Sequence, residues 1–257
     1  MPDKPRLSLA IITLNEEKKL GDCLRSAAFV DEIIVVDSGS TDKTKEVAAS
    51  FNARFVTRPF DNFARQKNTA IEHCAGEWIL LLDADERLSP ELAAEIQAVI
   101  ADPRSLGAYY VRRRNFLFGG RMRYGANLND WQLRLLKRGQ GHFEGIVHER
   151  VKPDGEAGYL KGDLLHYSYQ TLEEYFKKFP LFSDLDAESM WRQGKKPGLA
   201  HFLARPPLNF CYFYFYRLGF LDGFRGLLYE ALAANYLYTK YRKVLKLYRE
   251  RGPAGQK

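Results

Sequence analysis

With 257 residues, 46% apolar and 28% charged, the chain has the composition of a globular protein able to bury a sizeable core, as one α/β domain or as a catalytic domain with an appendage. Cys23, Cys74 and Cys211 are scattered without C-x-x-C or metal-ligand spacing, which argues against a disulfide scaffold or thiolate metal site and for a reduced, cytosolic compartment. The whole net charge of +7 falls in the last third: residues 1–168 hold 24 Lys+Arg against 24 Asp+Glu, and residues 169–257 hold 15 against 8, so no basic groove for nucleic acid is expected on the larger part.

The first apolar run, LSLAIITL (7–14), reads as a strand rather than a secretory leader. Only Lys4 and Arg6 precede it, and it passes straight into Asn15-Glu16-Glu17 with no small-residue cleavage site. A helix near 16–28 follows, then EIIVVD (32–37), a helix near 42–51, ARFV (53–56), a helix near 63–74, WILLLD (78–83) and a helix near 90–101. Strands alternating with helices predict a parallel, doubly wound sheet. The unbroken apolar run of WILLLD marks a central strand covered on both faces, because one-sided strands alternate. Polar residues stand after several strands: Thr13 to Glu16, DSGSTD (37–42) and DADE (83–86). The carboxyl edge of such a sheet is where ligands bind, so a nucleotide-sized pocket is expected there.

Asp83 and Asp85, two residues apart in the strand direction, point to the same side and repel unless a cation or hydrogen-bond donors lie between them. The pattern asks for a divalent metal. The alternative is a solvated strand-to-helix turn with Ser89-Pro90 starting the next helix. Between 107 and 168 the pattern changes to shorter, Arg-rich strands, AYYVRRRNFLF, WQLRLLKRG, HFEGIVHERV and YLKGDLLHYSY, expected to extend the sheet and close over the site. From 171 onward the chain reads as helical, with a Pro-containing break at 205–207 and a long aromatic helix or helix pair beyond. The expected division is therefore a catalytic domain, 1–168, and a helical, aromatic and basic region, 169–257.

Together IITLNEE (11–17), VVDSGSTDKT (35–44), ARQKNTAI (64–71) and LLLDADERL (80–88), with the later WQLRL, GIVHERV and LLHYSY, resemble the inverting family-two glycosyltransferases of GT-A fold. Within that family the sequence is most similar to the lipopolysaccharide core glucosyltransferases. The first four motifs span about a hundred residues. The resemblance implies transfer of a hexose, glucose from UDP-glucose in the first instance, to an inner-core sugar, with Mg2+ or Mn2+ as cofactor. It implies Asp85 as metal ligand and Asp83 at the ribose and metal. Asp37 would accept from the uracil N3–H, and Thr13, Asn15 and Glu16 would line the base pocket, with Lys67 and Ala84 also at the nucleotide sugar. His166, at the end of a strand-like run, matches the position of a C-terminal histidine on the metal; the competing reading is a satisfied core histidine. Inversion needs a carboxylate to take the acceptor proton, and two candidates stay open: Glu149, after Gly145 in GIVHE, and Asp130, in NDWQLRL. Arg134 gives only a partial match to the Gln-x-x-Arg-Trp signature of processive relatives, which argues against a processive synthase.

From Phe210 to Tyr241, 12 of 32 residues are Phe or Tyr, yet Arg217, Asp222, Arg225 and Glu230 interrupt the run too often for a spanning helix. Lys240, Arg242, Lys243, Lys246, Arg249 and Arg251 are expected as exposed cations that attract anionic phospholipid or phosphorylated saccharide. The expected setting is peripheral, on the cytoplasmic face of a bacterial inner membrane, with a lipopolysaccharide core or other glycolipid as acceptor. Competing readings are a transferase acting on polyprenyl phosphate or another surface glycan, and a catalytically silent sugar-nucleotide or membrane-binding module.

Overall fold

The structure, a computed structural model, describes residues 7–144, 150–153 and 155–253. The chain divides into two compact units, Met1–Arg114 with Asn129–Tyr167, and Asn115–Leu128 with Ser168–Lys257. Residues 115–128, read in the sequence with the catalytic part, thus belong to the second unit.

The first unit opens with β1 (Leu7–Thr13), α1 (Leu20–Ser26), β2 (Glu32–Asp37), α2 (Thr44–Ser50), β3 (Arg54–Thr57), α3 (Phe63–Glu72), β4 (Trp78–Asp83), β5 (Glu86–Leu88) and α4 (Pro90–Ala101). β6 (Ala108–Leu117) runs on into the second unit, where β7 (Gly120–Arg121) pairs with its end; β8 (Trp131–Lys137), β9 (Gly141–Glu144), β10 (Arg150–Pro153) and β11 (Ala157–Tyr167) return to the first. The sheet order is β3-β2-β1-β4-β8-β6-β11-β5, and β9 and β10 form a separate antiparallel pair. β1 pairs in parallel with β2 and β4, and β3 lies parallel on β2. Beyond β4 the direction reverses, β8 running antiparallel to it.

Both faces of this sheet are covered, as the unbroken apolar strands require. Leu9, Ile11, Val35, Leu80 and Leu82 join one core with Leu20 and Leu24 of α1, Ala48 of α2 and Leu92 and Ile96 of α4. The alternate residues Ala10, Ile34, Val36, Ile79 and Leu81 face Ala64 and Ala70 of α3 and Phe143 of β9. Asn68 of α3 ties β9 down through both groups of Phe143, accepting from its N–H at 2.8 Å and donating to its carbonyl at 3.0 Å.

Two helices begin later than the sequence suggests, and side-chain capture of the backbone is the reason. The N–H groups of Asn15, Glu16 and Glu17 donate to Ser40 Oγ, Thr44 Oγ1 and Asp42 Oδ2 at 2.7, 2.9 and 3.1 Å, so residues 14–19 form a turn, with Asn15 at φ +55°, and α1 waits until Leu20. Asp42 Oδ1 accepts from the Thr44 N–H at 3.0 Å, and α2 starts at Thr44. By contrast α4 begins where expected, with Ser89 Oγ accepting from the Leu92 N–H at 3.2 Å and Pro90 in the first turn.

In the second unit α5 (Leu172–Arg192), capped by Thr171, packs along the long α8 (Gly223–Arg251). Between them lie α6 (Leu199–Leu203), α7 (Arg205–Cys211), a π-helical turn at Tyr212–Tyr216 and a 3-10 turn at Gly219–Asp222. The expected break at 205–207 falls at Ala204, between α6 and α7, and Pro206 and Pro207 occupy the first turn of α7, where a missing N–H is harmless. The chain bends again at Leu218, held at φ +60°, and Gly223, at φ +62°. Tyr236 donates to Asp186 Oδ2 at 2.7 Å across the α5–α8 seam, and Phe179 meets the Tyr236 ring edge-on at 5.6 Å. Among the described residues no helix is long and apolar enough to cross a membrane.

Close approach of α4 to β11 rests on one glycine. A Cβ on Gly162 would stand 2.4 Å from Leu92 Cα and 2.6 Å from its nitrogen, so the helix backbone must move to admit it. Gly162→Ala is expected to cost about 1–3 kcal/mol, the range for overpacking a core, read from the urea midpoint at unchanged m-value.

Candidate active site

The ends of β1, β2 and β4 carry the residues the sequence singled out. Thr13 Oγ1 donates to Asp37 Oδ1 at 2.9 Å, with both residues buried. Asp37 also accepts from the N–H groups of Gly39 and Ser40, at 2.9 and 2.7 Å, and from Ser40 Oγ at 2.5 Å. These four hydrogen bonds fill its acceptor positions and close the 37–40 turn. Asn15 Oδ1 accepts from the Thr41 N–H at 2.8 Å, stitching the loop after β1 to the loop after β2. Burial opposes the charge of Asp42, but the Thr44 hydroxyl and the backbone N–H groups of Glu17 and Thr44 hold its carboxyl below the ordinary range.

At the end of β4 the acids are answered by buried cations. Asp83 Oδ1 lies 3.0 Å from Lys67 Nζ, and its Oδ2 accepts from Arg134 at 2.8 Å. The same Arg134 nitrogen reaches Glu86 Oε1 at 2.5 Å, and Arg113 NH1 approaches that oxygen at 3.6 Å. Glu86 Oε2 in turn accepts from the Asp83 N–H at 3.0 Å. Burial works against ionising Asp83, yet Lys67, Arg134 and Arg113 hold its carboxyl far below the usual carboxylate range. Arg134 is itself buried, which disfavours its charge, but Glu86 and Asp83 keep its pKa above the ordinary arginine value.

Asp85 faces another partner. β5 pairs antiparallel with β11 in a register that sets His166 opposite Glu86, and the Tyr167 N–H donates to the Asp85 carbonyl at 2.8 Å. That register brings His166 Nε2 to 3.5 Å from Asp85 Oδ1, both side chains mostly buried. Two of the three residues expected at the metal are thus adjacent, while the third, Asp83, is held by Lys67 and Arg134. A carboxylate oxygen and an imidazole nitrogen at this spacing could hold a divalent cation. Among the described residues no cluster of three or more His, Cys, Asp or Glu side chains is arranged as a metal cage.

Of the remaining expected residues, Ala84 is buried in the core below α1 and α4, where it packs. Lys67, on α3, lies over the Phe143 ring at 5.3 Å. Asp130 is held by Arg113 Nε at 2.8 Å and by Gln132 Nε2 at 2.7 Å. Glu149, with Gly145 and His148, lies outside the described residues. Sequence reasoning did not single out Gln66, whose amide donates to Ser38 Oγ at 3.0 Å and to the Arg58 carbonyl at 2.9 Å and so braces the loop after β2. Nor did it give a role to Arg113, or to Glu86 beyond the acidic run. Arg134 was visible only as a partial motif.

A doubly wound sheet with an acid pair at the end of its central strand, and a mixed extension that supplies cations to it, defines a GT-A-type transferase. Residues 8–164 match the family model Glycosyl transferase family 2, and the chain belongs to that family. It is 34% identical to the lipopolysaccharide core biosynthesis glycosyltransferase LpsC of Rhizobium meliloti (strain 1021), over 94% of this chain and 95% of that protein. It is 29% identical to the uncharacterized glycosyltransferase RT0209 of Rickettsia typhi, over 94% and 87%. A solved structure, glucosyl-3-phosphoglycerate synthase from Mycobacterium tuberculosis in complex with Mn2+, UDP and phosphoglyceric acid, superposes with a TM-score of 0.36 at 23% identity, covering 45% of this chain and 44% of that one. The protein is a glycosyltransferase.

Because Arg134 serves Asp83 and Glu86 at once, Arg134→Gln is expected to cost about 3–5 kcal/mol, the range for breaking a buried ion pair. The pH dependence follows from the depressed Asp83 pKa. Its contribution is fully present above the unfolded value of about 3.9 and is lost as pH falls through the lower folded value. The stability gap between wild type and variant, measured by urea unfolding, should therefore be widest near neutrality and narrow below about pH 4.

Proposed function

We propose that the enzyme transfers a hexose, glucose in the first instance, from a UDP-sugar to a hydroxyl of a lipopolysaccharide inner-core saccharide, with inversion and with Mg2+ or Mn2+ at Asp85 and His166. The observation that carries this reading is the division of labour at the end of β4: Asp83 is neutralised by Lys67 and Arg134, while Asp85 lies against an imidazole. Protein cations thus remove the repulsion from one acid of the pair, and the other keeps a donor set suited to a metal. The bound cation would offset the charge that grows on the departing diphosphate.

The chain's own residues then have distinct tasks. Asp83, kept ionised, accepts from the ribose hydroxyls. Thr13, Asn15, Glu16 and Asp37 shape the base pocket, and Asp37 reaches the uracil N3–H by exchanging one of its present donors. Lys67 stays close enough to Asp83 to meet the nucleotide. Glu149 takes the proton of the acceptor hydroxyl; the support is its place in the GIVHE sequence together with the commitment of Asp130 to Arg113 and Gln132. The acceptor class draws support from the resemblance to LpsC along the length of both chains.

Asp85→Asn is expected to lower sugar transfer by more than about a hundredfold while the fold persists, since the near-isosteric amide keeps the packing and removes a charge crowded by Asp83 and Glu86. A chelator should silence the wild type and change the variant no further; chelator-insensitive turnover near the wild-type rate in the variant refutes the metal assignment.

Glu149→Gln should bind UDP-glucose as the wild type does but transfer roughly 10²–10⁴-fold more slowly, the usual span for general base catalysis. Asp130→Asn serves as the comparison, measured by single-turnover kinetics and calorimetric titration of the donor. A rate collapse in Asp130→Asn with Glu149→Gln near normal exchanges the two roles.

A further inference from the structure

Of the cations expected to dock the C-terminal part on a membrane, Arg242, Lys246, Arg249 and Arg251 are exposed, whereas Lys240 and Lys243 are partly buried against α5. Lys243 Nζ lies 2.7 Å from Asp184 and 2.8 Å from Ser183 Oγ, Lys240 Nζ is 4.0 Å from Asp186, Lys246 pairs with Glu250, and Arg242 sits over the Tyr238 ring at 6.0 Å. The α5 acids therefore balance Lys240 and Lys243.

A different surface carries what those residues were expected to supply. From α6 through the first turn of α8 the chain turns large apolar side chains outward: Leu199, Leu203, Leu208, Phe215, Tyr216 and Phe224, the last two 76% and 75% exposed. The inward side of the same segments is satisfied: Phe202 packs edge-on against Tyr238 and Tyr241, and Pro206, Gly219 and Gly226 are buried. The outward residues are thus surplus to the unit's own core. The π-helical turn stacks Tyr212 on Tyr216 at 5.2 Å, after Phe210 on Tyr214 at 5.1 Å, lining the segment with rings whose hydroxyls suit a wet boundary and whose faces suit an apolar one. Monomeric soluble proteins seldom leave such a concentration of apolar surface uncovered.

Charge selects what covers it. Residues 189–221 contain no Asp or Glu, but hold Arg192, Lys195, Lys196, Arg205 and Arg217. Lys195, Lys196 and Arg205 are exposed and meet no acid among the described residues, Lys196 lying 5.7 Å from the Tyr248 ring centre and Arg205 3.5 Å from the Tyr241 hydroxyl. The one acid between 189 and 227, Asp222, is taken up by the Arg123 and Tyr124 N–H groups, so a two-fold contact between copies would bring like charges together, whereas an anionic phospholipid surface complements the face. We infer that residues 199–227 form an in-plane membrane-insertion surface, seating Leu203, Leu208, Tyr216 and Phe224 among the acyl chains of an anionic bilayer while Lys195, Lys196 and Arg205 meet its headgroups. The helices here are too short or too polar to cross the bilayer, as a monotopic contact requires. This inference concerns only the second unit and stands apart from the donor and acceptor proposed above.

The test is co-sedimentation of the full chain with vesicles of phosphatidylcholine, with and without phosphatidylglycerol. Wild type should bind the anionic vesicles, and more weakly as salt rises, because the headgroup attraction is screened within about 8 Å at physiological ionic strength. Replacing Leu203, Leu208, Tyr216 and Phe224 together by Ser should lower the partition coefficient about a hundredfold, only roughly threefold per side chain and below the value for full burial. Replacing Lys240, Arg242, Lys243 and Lys246 by Gln should change it much less. Hydrolysis of the sugar nucleotide should persist in both variants, which separates failure here from failure of the catalytic proposal. A milder probe, Phe224→Trp, should show a blue-shifted emission on adding anionic vesicles. The inference is overturned if the apolar quadruple variant binds as the wild type does, if the Phe224→Trp emission ignores vesicles, or if only the Lys/Arg quadruple loses binding. It is also overturned if lipid is ignored throughout while sedimentation velocity shows a wild-type dimer that the apolar variant abolishes.

Discussion

Three acids within four residues at the end of a buried strand cannot all be ionised unless the protein delivers positive charge to them, and much of the architecture around β4 does that. Arg134 arrives on β8, the strand that reverses the sheet direction beside β4. Lys67 comes from α3 on one covered face, and Arg113 from β6, one strand further out. Each cation belongs to a different element, so strand order and register are tied to the charge state of Asp83 and to the ion pairs of Glu86. The reversal after β4 is thus a structural need as much as a variation on a parallel sheet. A parallel neighbour, connected through a crossover helix, would draw its residues from a different stretch of chain.

The same dependence explains what could be read from the sequence. Strand and helix alternation through Ala101 was legible because it is local: apolar runs, turn residues, and Ser89-Pro90 before α4 declare themselves within a few positions. The acid pair was legible as well, since a strand end in a doubly wound sheet has a known meaning. Glu86 was harder. It stands in the acidic run yet starts a three-residue strand whose partner, β11, lies some eighty positions later, and its full burial depends on Arg134. No local signal marks Arg113 as different from Arg112 and Arg114, but strand alternation sends it to Glu86 and Asp130 while its neighbours go to Asp163.

Non-local capture also misled the helix boundaries and the basic tail. The loop after β1 is held by side chains some 25 residues away, which no helix-start rule sees. Of the tail cations, Lys240 and Lys243 are the two whose setting the sequence hides, because it does not show that Asp186 and Asp184 of α5 face them. The absence of acid over residues 189–221, by contrast, is legible in the sequence itself.

Acids at strand ends look alike in a sequence, and the donors that surround them are what separates their roles. Asp37 takes four hydrogen bonds from its own loop and from Thr13, so its first task is to fix the turn that a base would rest on. Asp83 takes two buried cations, which keep it charged and oriented without emptying the sheet edge of acceptor capacity. Asp130 is gripped by an arginine and a glutamine, a poor state for a group that must pick up a proton. Asp85 stands against an imidazole brought in by strand register, a neighbour that can ligate as well as donate. The four acids thus stand in four different donor environments, and Asp85 is the one whose fold-given neighbour is an imidazole.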